Sequence, residues 1–436
     1  MINRTVIEGQ ELKKLFPGTV IRKGKAKKGI VGLESTGIVL DNELFSKHII
    51  TLGSIGSGKS NLMYHIANSV LKDITEDDLV IFFDAKGDYL KNFHRDGDIV
   101  IGNKQSIDIE CELQYWNIFS DILLSGKDEI NDYIREISSA LFKKHIQQSQ
   151  NPTFLMGARD IFSALLTSII RDSKDDEIDW NNKKLKEYIN KSTRKTIGLK
   201  LCDYDDLQWA TSYISEKGAT TQSYLSPLFM VVQEVLAGPF AQTGEFSIRQ
   251  AVREKKGKSI FLEYDIANAN TLQPIYTLLI DLAIKEALGC NNRKGNVFFI
   301  LDEFPLIPRL EYMDNALNFG RSLGVKIIAG IQNIGQVNST YTKELAQSIL
   351  SGFGTYFSFK LFDEESRKII SDRHGKNRVK ESILSTNMSK GIDDNIFECN
   401  VIEDWDIVKL NVGQCIVSML NEEPFVFYPT EYKVKN

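Results

Sequence analysis

Residues 53–60 read Gly53-Ser54-Ile55-Gly56-Ser57-Gly58-Lys59-Ser60, the spacing G-x-x-x-x-G-K-S, between an apolar run ending at Leu52 and a helical pattern beginning near Asn61. Few local features restrict a fold so strongly. The glycines let backbone N–H groups turn inward at the start of a helix, where unsatisfied amides and the helix dipole favour an anion. Lys59 adds a point charge for terminal phosphates, and Ser60 brings a hydroxyl oxygen suited to magnesium. A glycine-rich turn can be purely structural, but the Lys-Ser pair in a strand-to-helix setting argues for ATP with Mg2+.

A second segment answers to the first. Residues 296–303, N-V-F-F-I-L-D-E, form an apolar run that delivers Asp302 and Glu303 at its C-terminal end, where ligands gather in open α/β sheets. Asp302 is the expected partner of the magnesium shell. Glu303, turned elsewhere by strand alternation, is the expected base that polarises the attacking water. Gln332 closes the apolar run 325–331 and is a candidate sensor of the terminal phosphate, although a Gln satisfying backbone groups at a strand end fits the spacing equally well. Arg321, late in the preceding helical pattern, is by local pattern a partner of the helix dipole.

Further runs rich in Val, Ile and Phe at 48–52, 79–84, 259–264, 297–302, 325–331 and 356–361 predict buried parallel strands. Helical periodicity at 61–71, 276–288 and 312–322 alternates with them, as in a doubly wound sheet. The interval 116–236 has no strand-like run and carries amphipathic helical patterns at 130–142, 158–170 and 223–235. The expected organisation is an N-terminal segment 1–46, a nucleotide-binding α/β domain formed by 47–115 and 237–436, and an all-α insertion 116–236.

The chain has 436 residues, long enough for two domains, and its 42% hydrophobic content excludes a disordered or fibrous class. With a net charge of -5, any nucleic-acid contact has to come from a local patch or from the lining of an assembly. The basic segment 13–28 could touch phosphates, but a solvated surface is the expected reading, as it is for the acidic run 172–179. Five scattered cysteines without a C-x-x-C pair fit reduced thiols, and His48, His65, His94, His145 and His374 lack the spacing of a zinc site. The N-terminus has no signal-peptide core, and no run of about twenty apolar residues is expected to span a bilayer. The expected location is cytoplasmic, with peripheral contact at the inner face of the membrane as a variant.

Six segments in order carry a resemblance: G-S-I-G-S-G-K-S at 53–60, D84-A-K86-G87-D88, W116-N-I-F, F246-S-I-R-Q-A-V, F-F-I-L-D-E-F around Asp302, and G320-R-S-L-G-V-K-I-I-A-G-I-Q332. Over residues 47–341 the chain resembles the type IV secretion coupling proteins of the TraD/TraG/TrwB kind, within the HerA and FtsK translocases. The resemblance implies a RecA-like P-loop fold with an inserted all-α domain, and a homo-hexameric ring that uses ATP hydrolysis to move DNA. It implies that Lys59 binds phosphates, that Asp302 and Glu303 serve magnesium and water, and that Gln332 couples nucleotide state to movement. Arg321 would act as a finger on the neighbouring subunit's nucleotide. Two positions depart from the pattern. Asp88 stands where D-x-K-G-E has Glu, and the usual N-terminal transmembrane helices are not seen, so docking would fall to a separate membrane anchor or channel protein.

The expected function is a DNA-dependent ATPase of the conjugative coupling type, with a relaxase or other transferred protein as a further partner. Two alternatives stand beside it: a soluble HerA-like motor in DNA processing or defence, and a nucleotide-switched platform that recruits a relaxase or effector without pumping. Glu303 argues against the platform, since a switch does not need fast hydrolysis.

Overall fold

The computed structural model describes residues 2–14, 20–23, 37–102, 111–126, 128–173, 179–215, 219–264, 266, 269–289, 294–384, 392–420 and 422–433. The strands in chain order are β1 (Ile2–Glu8), β2 (Lys13–Lys14), β3 (Val20–Lys23), β4 (Gly37–Leu40), β5 (Ile49–Leu52), β6 (Leu79–Asp84), β7 (Ile99–Gly102), β8 (Ser259–Glu263), β9 (Val297–Leu301), β10 (Val325–Ile331), β11 (Thr355–Ser358), β12 (Lys376–Leu384), β13 (Ile392–Asn400), β14 (Cys415–Ser418) and β15 (Phe425–Phe427). The chain divides into two compact units: Met1–Val80 with Lys294–Leu306 and Met313–Asn436, and Ile81–Arg293 with Ile307–Tyr312.

In the first unit the main sheet runs β2-β15-β14-β11-β5-β10-β9. Its centre is parallel: β11, β10 and β9 all run with β5, and Leu52 pairs with Ser358 on one side and Ile331 on the other. β14 and β15 add antiparallel strands toward one edge. Every residue of β5, β9, β10 and β11 is buried, which is why these strands read as continuous apolar runs rather than alternating ones. The helix Lys59–Lys72 buries Leu62, Ile66 and Val70, one stripe at helical spacing. Each such side chain contributes about 1.5–3 kcal/mol by leaving water. A separate antiparallel sheet, β1-β12-β13, belongs to this unit as well.

The second unit holds the later part of β6 with β8 and β7, and the helices that lie in sequence between β7 and β8. Between 116 and 236 the described residues form α-helices and one 3-10 stretch, Asp205–Ile214, with no named strand. The result is the α/β class with a mostly parallel sheet and a helical region that the sequence predicts. The long helix Pro152–Asp172 is by length and composition apolar enough to cross a membrane. Here it is a core helix, with Ile161, Phe162, Leu165, Leu166 and Ile169 all buried.

Two segments that carried the family resemblance turn out to be one buried polar cluster of this unit. The Trp116 indole N–H donates to Asp121 Oδ2 at 2.6 Å, and the Ser247 hydroxyl and the Arg249 backbone N–H donate to Asp121 Oδ1. Burial pushes the Asp121 carboxyl upward, against these hydrogen bonds. Arg249, 1% exposed, donates to the Asp121 carbonyl at 2.6 Å, pairs with Glu286 at 2.8 Å and lies 3.6 Å from the Tyr133 ring centre. A third segment, D84-A-K86-G87-D88, starts a helix. Asp84 at the end of β6 accepts from the N–H groups of Lys86 and Leu90, while Gly87 at φ 74° turns the chain into the helix Asp88–Phe93.

Of the basic segment, Lys13 pairs with Glu423, while Lys25, Lys27 and Lys28 lie outside the described residues. At the ends of the acidic run, Asp172 pairs with Lys200 and Asp179 with Lys184; residues 174–178 lie outside the described residues.

Candidate nucleotide site

The loop after β5 is shaped by its glycines. Gly56 and Gly58 stand at φ 72° and 111°, in the left-handed region where a side chain is strained. Gly53 has ordinary backbone angles but no room, since a Cβ there would lie 2.6 Å from both Phe359 Cβ and Ser57 Oγ. The turn closes through Ser57 N–H to the Ser54 carbonyl at 3.2 Å, and its first residue is tied to the sheet by Gly53 N–H to Ile331 O at 3.3 Å. The helix Lys59–Lys72 starts with Gly58 as its N-cap, so no side chain caps its first amides. An uncapped helix start facing an inward-turned loop is an anion site by construction.

Lys59 is buried to 9% exposure, and its ammonium bends back to the Gly53 carbonyl at 2.6 Å. Ser60 donates its hydroxyl to Asp302 Oδ2 at 3.1 Å, although 242 residues separate them. The sheet makes that contact: β9 and β10 pair with Leu301 opposite Ala329, and β10 and β5 pair with Ile331 opposite Leu52, so Asp302, Gln332 and Gly53 leave their strands at one carboxyl end. A hydroxyl and a carboxylate oxygen at this spacing are the hard oxygen donors magnesium takes. Glu303 is next in the chain, half-buried, at the start of the 3-10 turn Phe304–Leu306. Gln332 is half-buried as well; its backbone N–H donates to Gln336 Oε1, and Asn333 caps the helix Ile334–Thr340.

Arg321 is not gathered with these residues. It lies in the last turn of the helix Met313–Leu323, which ends where β10 begins, and β10 spans roughly 20 Å before reaching the carboxyl end. Its side chain is 60% exposed and reaches Glu43 at 3.8 Å. Lys47 first, then Arg321, holds the Glu43 carboxyl below its usual range. Exposed pairs of this kind add little stability, so the contact does not account for the arginine. The neighbouring His48 is held at φ 56°, accepts from Ile327 N–H at 3.1 Å through Nδ1, and is pushed down to about 4 by burial and by Lys326.

Sequence reading did not find several residues that shape the site. Gly330 on β10 has no space for a side chain, since a Cβ there would lie 2.2 Å from the Asp302 carbonyl and 2.9 Å from its Oδ1. The C-terminal segment crosses the helix after the loop: Asn61 Nδ2 donates to Thr430 O at 3.0 Å, Tyr432 N–H donates to Asn61 Oδ1 at 2.6 Å, and His65 Nε2 meets Thr430 O at 2.8 Å. Their only sequence signal is the glycine or polar residue itself, because the contacts of Asn61 and His65 bridge more than 360 residues and that of Gly330 crosses between two strands.

A family model described as the type IV secretion-system coupling protein DNA-binding domain matches residues 33–412. The coupling protein TraD of Escherichia coli (strain K12) is 22% identical over 372 residues, covering 82% of this chain and 47% of TraD, so the chain spans about half that relative's length. Among solved structures, an unbound form of the bacterial conjugative coupling protein TrwBdeltaN70 superposes with TM-score 0.73 at 17% identity, covering 94% of this chain and 91% of the other. The plasmid coupling protein TrwB in complex with ADP and Mg2+ superposes with TM-score 0.71 at 17% identity, covering 98% and 97%.

Proposed function

From the premise that this chain belongs to the type IV secretion-system coupling protein DNA-binding domain family, we propose that it is a ring-forming, DNA-dependent ATPase that couples hydrolysis to DNA movement. The observation that carries the reading is the Ser60–Asp302 contact of 3.1 Å beside an uncapped, glycine-led helix start. The loop amides of 53–60 and Lys59 hold the phosphates, and Ser60 and Asp302 hold Mg2+, which neutralises charge on the terminal phosphates. Glu303 accepts the proton of the attacking water, and Gln332 senses the terminal phosphate at the end of the strand between β5 and β9. The TrwB structure bound to ADP and Mg2+ supports this assignment of ligands.

Arg321 serves a neighbour in this reading. Its place at the amino end of β10 keeps it from its own loop, and its 60% exposure leaves it available to another copy. A residue presented at one end of the sheet to a site at the other end makes a head-to-tail contact, which generates a ring when the rotation closes. We assign six subunits on family grounds, with 47–115 and 237–436 as the motor and 116–236 as the inserted all-α domain. DNA is the partner, with a transferred relaxase and a membrane channel protein as further partners at the cytoplasmic face.

Glu303→Gln tests the chemistry. Nucleotide affinity should stay within about threefold while the steady-state hydrolysis rate falls by at least about a hundredfold. Hydrolysis unchanged in that variant would remove Glu303 from the mechanism.

A further inference from the structure

Beside the phosphate loop, three residues distant in sequence stack on one another. Gly413 donates its N–H to the Ser57 carbonyl at 2.8 Å, and a Cβ on Gly58 would lie only 2.9 Å from Gly413 Cα. Gly413 itself stands at φ 84°, and a Cβ there would lie 2.6 Å from Cε2 of Tyr428. Two glycines thus bring an aromatic ring to the wall of the loop. That ring is 42% exposed, and Val412 beside it in the chain is 71% exposed. Such exposure in an aromatic and an aliphatic side chain next to a binding loop is unexplained by packing.

The sheet fixes which way a bound nucleotide must run. Asp302 and Gln332 follow β9 and β10, on one side of β5, so the terminal phosphates and their cation lie on that side. The remainder of the nucleotide leaves on the other side, toward β11 and the strands beyond it, β14 and β15. Gly413 lies two residues before β14, and Tyr428 directly follows β15. The segment is also held in place: two residues beyond Tyr428, the Thr430 carbonyl accepts from Asn61 and meets His65, both on the helix that starts the phosphate site. A ring fixed in this way loses little freedom on stacking.

We propose that Tyr428, flanked by Val412, is the stacking platform for the base of the nucleotide whose phosphates occupy the 53–60 loop. The inference rests on the nucleotide reading above and adds the base-side contact to it. Stacking on an aromatic face uses the π surface that every base has.

The test compares two probes by calorimetry, ADP and inorganic pyrophosphate, both with Mg2+. They share the phosphates and differ in carrying a base. Tyr428→Leu keeps an apolar side chain against Gly413 and removes the π face; it should weaken ADP by at least about fivefold and leave pyrophosphate within about twofold. Tyr428→Phe should bind ADP like the wild type. Loss of both ligands together in Y428L would make the ring a support of the loop and overturn the base assignment, as would unchanged ADP binding. Wild-type protein that binds neither probe would instead overturn the nucleotide reading, so the two failures are distinguishable.

Discussion

At the scale of single residues, the site depends as much on missing side chains as on present ones. Lys59, Ser60 and Asp302 supply the charge and the oxygens, while Gly53 leaves space beside Ser57 and Phe359, Gly58 beside Gly413, and Gly330 beside Asp302. Gly330 gives the sharpest test. Gly330→Ala would push a methyl group into the Asp302 backbone, and overpacking of this kind costs about 1–3 kcal/mol. The expected outcome is a lowered unfolding midpoint together with loss of Mg2+-dependent hydrolysis, whereas Gly126→Ala, with open space around it, should change neither. A G330A protein with wild-type activity would show that Asp302 does not need its present position. The phosphate loop and the Asp302-Glu303 pair were legible in the sequence because each is contiguous and its chemistry is local. Gly330, Gly413 and Tyr428 were not, because a glycine's crowding or an aromatic's neighbour is set by residues that only the fold brings near.

At the scale of elements, the strands of the central parallel sheet were legible for a physical reason: buried on both faces, they are unbroken apolar runs. β12 and β13 were missed because polar runs, Lys380-Glu381-Ser382 and Asp393-Asp394-Asn395, break both an apolar and an alternating pattern. β7, β14 and β15 are runs of three or four residues, and β5 and β11, equally short, were read because apolar or aromatic residues extend beyond them at 48–52 and 356–361. The segments around Trp116 and Phe246 were legible as a resemblance, while their physical role was not. They build the buried cluster of Asp121, Arg249 and Glu286 in the unit that holds the helices. Without Arg249, Glu286 keeps Arg253 at 2.6 Å, but the buried Asp121 carbonyl and Ser125 hydroxyl lose their donor, at about 1–3 kcal/mol. Arg249→Met should therefore lower the unfolding free energy by about 1–3 kcal/mol in denaturant titration. A change under about 0.5 kcal/mol, the scale of ordinary surface substitutions, would contradict the structural role given to these segments.

At the scale of the whole molecule, the formal charge of -5 gives no general attraction for DNA, so contact with a polyanion falls to a local surface or to the lining formed when copies assemble. Assembly is also what the role proposed for Arg321 would require. The chain's own phosphate loop opens at the carboxyl end of β5, and Arg321 is carried at the amino end of the parallel strand β10. In the proposed reading, catalysis by this arginine is a property of a pair of subunits, and hydrolysis then depends on whatever brings subunits together. In the proposed ring, DNA threaded through the centre would do so.

The most direct measurement is steady-state ATP hydrolysis by the purified chain with and without single-stranded DNA, for wild type, Arg321→Ala and an equimolar mixture of Arg321→Ala with Lys59→Ala, with assembly followed by mass photometry. The account predicts DNA stimulation in the wild type, loss of at least about a hundredfold in each variant alone with assembly retained, and partial recovery in the mixture, where one variant supplies the arginine and the other the loop. Hydrolysis indifferent to DNA and to R321A, by a protein that stays monomeric, would contradict it.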